Sequence, residues 1–154
     1  MGTHYQGSEQ AERALNAYIN LMRAAETLSA RVQQHLSQHG LTETQFGVLE
    51  VLYHLGPLCQ RALGDKLLKS GGNITLVIDN LEKQGLVQRQ RSPQDRRYVN
   101  VHLTAEGQQL IAAIFRDHAE LITGLMSPLR ESEQELLRHF CRWVGKQTRC
   151  DASR

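Results

Sequence analysis

Long apolar runs are missing from this 154-residue chain. No window offers the roughly 18 uninterrupted apolar residues of a membrane span. The opening stretch MGTHYQGSEQAER lacks the basic-then-apolar order of a secretory signal. Cysteine is scarce: Cys59, Cys141 and Cys150 are odd in number, widely spaced and without a CxxC pair. That pattern excludes a disulfide framework and a zinc knuckle, and reduced thiols are expected. Catalytic signatures are missing as well, with no HExxH, no GxSxG and no carboxylate pair in a glycine-framed site. Internal repeats and low-complexity tracts are absent too. These absences leave a soluble, cytoplasmic, single-domain protein over 1–154 as the expectation, without enzymatic role, cofactor, metal or membrane partner.

What is present is ordinary in amount and uneven in placement. Charged residues make up 22% and hydrophobic ones 40%, with a net charge of +2. Between Cys59 and Leu103 there are eight Lys or Arg (61, 66, 69, 83, 89, 91, 96 and 97) against four acids (65, 79, 82 and 95). The rest of the chain holds ten basic and twelve acidic residues. A basic centre between mildly acidic arms points to a polyanion-facing module carried on another scaffold.

Periodicity divides the chain. Leu15, Tyr18, Ile19, Met22, Leu28, Val32 and Leu36 recur at helical spacing and predict a helix over 8–37, closed by Gly40. In LTETQF, Thr42 and Gln45 form a capping box, and Leu41 with Phe46 a hydrophobic staple. Phe46, Leu49, Leu52 and Tyr53 supply that helix's buried stripe, which stops at HLGP, residues 54–57. A short helix over 60–68 buries Leu63 and Leu67. After the breaker KSGGN, Ile74, Val77, Ile78 and Leu81 predict an amphipathic helix capped by Ser70 and ended by Gly85. LVQRQR and YVNVHL read as two strands around the turn RSPQDRRYV, with Val99, Val101 and Leu103 on one face. A long helix then runs from Thr104 to Ser127 and Pro128. A last one starts at a second capping box, Ser132 with Glu135.

Two close-spaced helices followed by a β-hairpin make a winged helix-turn-helix. The fold expected is therefore mainly α with a small β-hairpin wing: a winged helix-turn-helix over 41–104, flanked by helical arms over 8–40 and 105–146. The stretch ALGDKLLKSGGNITLVIDNLEKQGLVQRQRSPQDRRYVNVHLTAEG, 62–107, resembles the MarR family of bacterial transcriptional regulators. The LEKQGL exit and the DRR wing carry the resemblance, which extends over about 8–146. It implies a homodimer knitted by the N- and C-terminal helices that binds pseudo-palindromic operator DNA, usually as a repressor. It also implies release by small aromatic compounds or by thiol oxidation. LYHLGP and SGGNITLVIDNLEK look most like the branch responding to quinone-like electrophiles and oxidants. The chain departs from the common pattern at Gly71 and Gly72, where many members carry a basic or hydroxyl residue. Leu76 stands where Arg is frequent, and Gly64 where Ala is usual. These changes bear on which operator is read.

A recognition helix enters the major groove N-terminus first, which nominates Ser70, Gly71, Gly72, Asn73, Thr75, Leu76 and Asn80. Asn can pair bidentately with adenine, and Thr or Leu can meet a thymine methyl. In the wing, Asp95, Arg96 and Arg97 are the candidates. The resemblance implies that Asp95 orients Arg97, which enters the minor groove, by charge-assisted hydrogen bonds. Arg61, Lys66, Lys69, Arg89 and Arg91 are candidate phosphate contacts.

Tyr18, Phe46 and Tyr53 are candidates for lining an effector pocket, although all three also fit a core. Cys59, near a helix start, is a candidate redox thiol. It does not stand in the N-terminal helix, where hydroperoxide-sensing members of the family keep their reactive cysteine. Cys141 reads as a structural thiol. His35 and His39 stand four apart but have no partnering Cys or Glu motif, so plain polar residues are expected. Two rivals to a ligand-released repressor remain open: a thiol-based redox switch, and a winged protein-interaction module that does not bind DNA.

Overall fold

Local chemistry starts and stops the helices. The computed structural model describes residues 2–91 and 99–151, with side chains up to residue 146. In order these form α1 (Glu9–Ser37), α2 (Glu43–Leu55), β1 (Leu58–Cys59), α3 (Gln60–Leu67), α4 (Gly71–Lys83), β2 (Val87–Arg91), β3 (Val99–Leu103), α5 (Ala105–Met126) and α6 (Glu131–Asp151). The Thr42–Gln45 capping box is complete, with the Gln45 N–H donating to Thr42 Oγ1 (3.2 Å) and the Thr42 N–H to Gln45 Oε1 (2.9 Å). Ser70 caps α4 by accepting from the Asn73 N–H. Gly85 takes the left-handed conformation after α4, at φ 73°, where a Cβ would be strained.

Two features differ from expectation. The wing is a three-stranded antiparallel sheet in the order β1-β3-β2, because the residues before α3 pair with β3 (Leu58 opposite Val101, Cys59 opposite Asn100). The last helix begins at Glu131, ahead of Ser132, and the Ser132–Glu135 box does not start it. Instead Glu133 reaches back to accept from the Arg130 N–H (2.8 Å), while Glu135 pairs with Arg138 at 2.6 Å. An acid three residues after the chain enters the helix satisfies an orphan backbone donor, and the earlier acid takes that role.

The described residues fall into two units, 1–118 and 119–154, with the division inside α5. The core belongs to the first. Leu36 of α1, Phe46, Val48, Leu49 and Leu52 of α2, Leu63 of α3, Ile74, Ile78 and Leu81 of α4, Val87 and Val101 of the sheet, and Ile111 and Ile114 of α5 are buried together. Leu41, the residue before the Thr42 cap, is buried in the same cluster, as the staple requires. Farther from this core the apolar stripe of α1 is exposed at Leu15, Tyr18, Leu21 and Met22. In the second unit, α6 buries none of its described side chains and exposes Leu136, Phe140 and Trp143. No helix among the described residues is long and apolar enough to cross a membrane.

Candidate nucleic-acid interface

The buried stripe Ile74, Ile78 and Leu81 turns one face of α4 onto the core, with Val77 packed beside it, and leaves the opposite face outward. Gly71, Gly72 and Asn73 are exposed, and Leu76 is 61% exposed, an unusual state for a leucine on a helix that has a core to join. Nothing lies within 4 Å of where a Cβ would stand at Gly71 or Gly72. The first turn of α4 is thus bare backbone at the positive end of the helix dipole, suited to close approach by a phosphate or a groove edge. Thr75 is half-buried. Its hydroxyl donates to the Gly71 carbonyl (2.8 Å) and accepts from the Gln60 side-chain amide, so it is held by the protein's own groups. Asn80 is also half-buried, farther along the helix.

A cleft of about 210 Å³ between α3 and α4 is lined by Arg61, Asp65, Lys69 and Gly71 among others. Arg61, Lys66, Lys69 and Arg91 are exposed, as phosphate contacts must be. Arg89 is not placed like them. Its side chain is 26% exposed, and its guanidinium donates to Asp79 Oδ1 and Glu82 Oε2, both at 2.5 Å. Its backbone N–H donates to the other Glu82 oxygen at 2.9 Å. Burial alone would lower the guanidinium's pKa, but the hydrogen bonds and charges of Asp79 and Glu82 outweigh it and hold the pKa above its ordinary value. Arg89 is therefore engaged by Asp79 and Glu82, which sets it apart from the four exposed candidates.

Glu82 and Gln60, which complete this network, were not among the residues singled out from sequence. A signal for them existed. In β2, Arg89 is two residues from Val87 and stands opposite Val101, so strand parity puts it on the same core-facing side, where an arginine needs acceptors.

The wing candidates Asp95, Arg96 and Arg97 lie outside the described residues. β2 and β3, which lead to them, are paired in register from Val87 opposite Leu103 to Arg91 opposite Val99.

A model of the MarR family matches residues 41–99, the stretch that holds α2, β1, α3, α4 and β2 and ends at the first residue of β3. The transcriptional regulator MhqR of Bacillus subtilis is 40% identical over 134 residues, covering 87% of this chain and 92% of that protein. The chain belongs to the MarR family. As a MarR-family protein it is a DNA-binding transcriptional regulator, not an enzyme. Its fold matches the MarR-family regulator AbsC of Streptomyces coelicolor with a TM-score of 0.83 at 18% identity, covering 94% of this chain and 99% of that one. It also matches the DNA complex of MepR from S. aureus, with a TM-score of 0.74 at 27% identity and coverage of 85% and 96%.

The effector and redox candidates of this MarR-family chain occupy separate environments. Phe46 is core, with its ring 4.4 Å from that of His118. Tyr53 is half-buried against His54, with ring centroids 5.1 Å apart, and Tyr18 is 61% exposed on α1. Among the described residues these three rings share no ring contact with one another. Cys59 is half-buried at the junction of β1 and α3, and makes no side-chain cap bond to that helix. Cys141, expected to be a structural thiol, is exposed on α6. His35 and His39 pack edge to face at 5.5 Å, and no cluster of three or more metal-ligating side chains occurs among the described residues.

Proposed function

We propose that this regulator is a homodimeric repressor that lays α4 into the major groove of each half of a pseudo-palindromic operator. On this reading Gly71, Gly72, Asn73 and Leu76 meet base edges, Ser70 and Asn80 flank them, and Thr75 supports the helix's first turn. The wing's Arg97, oriented by Asp95, enters the adjacent minor groove beside Arg96, and Arg61, Lys66, Lys69 and Arg91 meet phosphate. The observation that carries the reading is the outward face of α4. It joins a bare glycine first turn, an amide and an exposed leucine next to basic residues on α3 and β2.

The exposed apolar stripes of α1 and α6 support dimerisation, since a contiguous apolar face seeks cover. Repression and release by a small aromatic or electrophilic effector are proposed from the family resemblance. The site of action is the cytoplasm, where the operator would be.

Selection of bound duplexes from a random pool, followed by footprinting, tests this. A single recovered sequence with two-fold symmetry, whose protection is lost in Arg97→Ala, supports the proposal. Absence of sequence-specific protection even at low salt sinks it and favours an interaction module.

A further inference from the structure

The polar network around Arg89 spans three elements. The Gln60 side chain, at the start of α3, sits between the other two. Its Oε1 accepts from the Arg89 guanidinium (3.5 Å), and its Nε2 donates to Thr75 Oγ1, which in turn donates to the Gly71 carbonyl. Arg89 also holds Asp79 midway along α4 and Glu82 in its last turn. One side chain of the wing strand is therefore tied to both ends of α4, directly at the C-terminal end and through Gln60 at the N-terminal end. The apolar stripe beneath α4 resists lifting of the helix, but apolar contact is non-directional and resists rotation weakly. Charge-assisted bonds to a planar guanidinium fork are directional.

We infer that Arg89 is a positioning residue for operator reading. It fixes the rotation of α4 about its own axis relative to the wing, and so the aim of Asn73 and Leu76. The inference rests on the proposed reading of α4 as the base-contacting helix. A side-chain tip about 6 Å from a helix axis moves by about 1 Å for each 10° of rotation. A hydrogen bond to a base edge does not survive such a shift.

The test measures affinity across a salt series for the duplex that the wild type selects and for a scrambled duplex of the same composition. Arg89→Met keeps the aliphatic stem and removes the fork. It is expected to lose about tenfold or more on the selected duplex, the discrimination of one good base contact. Binding to the scrambled duplex falls less, by what Asp79 and Glu82 repel once their counter-charge is gone, and the salt slope stays unchanged. Asp79→Asn and Glu82→Gln, which make the surface more positive, are expected to weaken selected-duplex binding in the same way. Arg89→Lys is expected not to rescue it, because an ammonium cannot span two carboxylates and an amide as the fork does.

A phosphate contact would behave otherwise. The slope would become shallower by about 0.9 per lost contact, scrambled binding would fall in parallel, and Lys would restore both. That outcome overturns the inference, as does tighter selected-duplex binding by Asp79→Asn. Should Arg89→Met not fold, Gln60→Ala leaves both ion pairs in place and is expected to lower the ratio of selected to scrambled affinity. An unchanged ratio there overturns the inference. A wild type that does not distinguish the two duplexes overturns the reading of α4 itself.

Discussion

Replacing Gly107 by alanine sets two effects of opposite sign against each other. Gly107 lies in the first turn of α5, where alanine would ordinarily gain about 1 kcal/mol in helix propensity. Here a Cβ would stand 2.0 Å from the Leu86 carbonyl oxygen and 3.0 Å from its carbon. Ordinary contact begins at 3.4 Å, so backbone on one side must withdraw by about 1.4 Å, the difference between 3.4 and 2.0 Å. The Leu86 carbonyl is not free to move. It accepts from the Thr104 N–H (3.1 Å), while the Thr104 hydroxyl donates to the Gly85 carbonyl (2.6 Å) and accepts from the Gly107 N–H (3.0 Å). Overpacking costs about 1–3 kcal/mol, and each displaced hydrogen bond about 1 kcal/mol more. The clash therefore exceeds the propensity gain, and a net loss of about 2–3 kcal/mol is expected. That corresponds to a fall in Tm of roughly 5–10 °C for a chain of this length. The assay is thermal melting by circular dichroism at one fixed protein concentration, because the proposed dimerisation would make the midpoint concentration-dependent. An unchanged or higher midpoint would refute the reasoning and show that the α4 exit yields without cost. Because Leu86 follows α4 directly, operator affinity should fall with stability.

Three further outcomes are expected. The His118 ring is packed on Phe46 and its buried Nδ1 has no hydrogen-bond partner among the described residues. Burial holds its pKa below the ordinary 6.5; the Glu50 charge opposes this, the nearby His35 adds to it and Glu43 opposes it. The unfolded chain thus binds this proton more readily than the folded one, and stability is lost as pH falls through 6.5. His118→Leu should flatten that acid-side fall between pH 8 and 5.5 in melting experiments, and parallel curves for the two proteins would exclude His118 as the cause. Leu68 joins α3 to α4 in the left-handed region, at φ 55°, with its side chain 69% exposed. Leu68→Gly removes a strain of about 1 kcal/mol against a smaller entropic cost, so the denaturant midpoint should rise slightly, and a clear drop would reveal a packing role. In the wing, Asp95→Ala makes the tip more positive, yet it should weaken specific operator binding in a gel-shift titration. Tighter specific binding would show that the acid is merely part of the surface.

Signals confined to a few neighbouring residues are legible in the sequence itself. The Thr42–Gln45 box, the Ser70 cap and the left-handed Gly85 each depend on groups within four positions, and each appears where its pattern stands. Signals that depend on distant pairing are not. Leu58 and Cys59 form a strand only because β3 lies alongside them, some forty residues later in the chain. At α6 two capping patterns overlap, Arg130 with Glu133 and Ser132 with Glu135. Preference for a hydroxyl cap points to the second, but the first is the one that forms, and Glu135 pairs with Arg138 instead.

Arg89 shows how treating charges one at a time misleads. The basic centre holds eight cations and four acids, a count that treats all twelve as facing the same polyanion. The structure removes three of them into one half-buried network, Arg89 with Asp79 and Glu82. One guanidinium answers two carboxylates, so the network keeps a net charge of −1 and the segment's total is unchanged; what changes is that these three charges face one another. The parity of β2 already placed Arg89 beside Val87 on the core side, where a charge must bring its own counter-charges. The two acids on α4 therefore still cost some repulsion toward DNA, with one of their two charges offset by Arg89. What they supply is a directional hold on the helix proposed to read it.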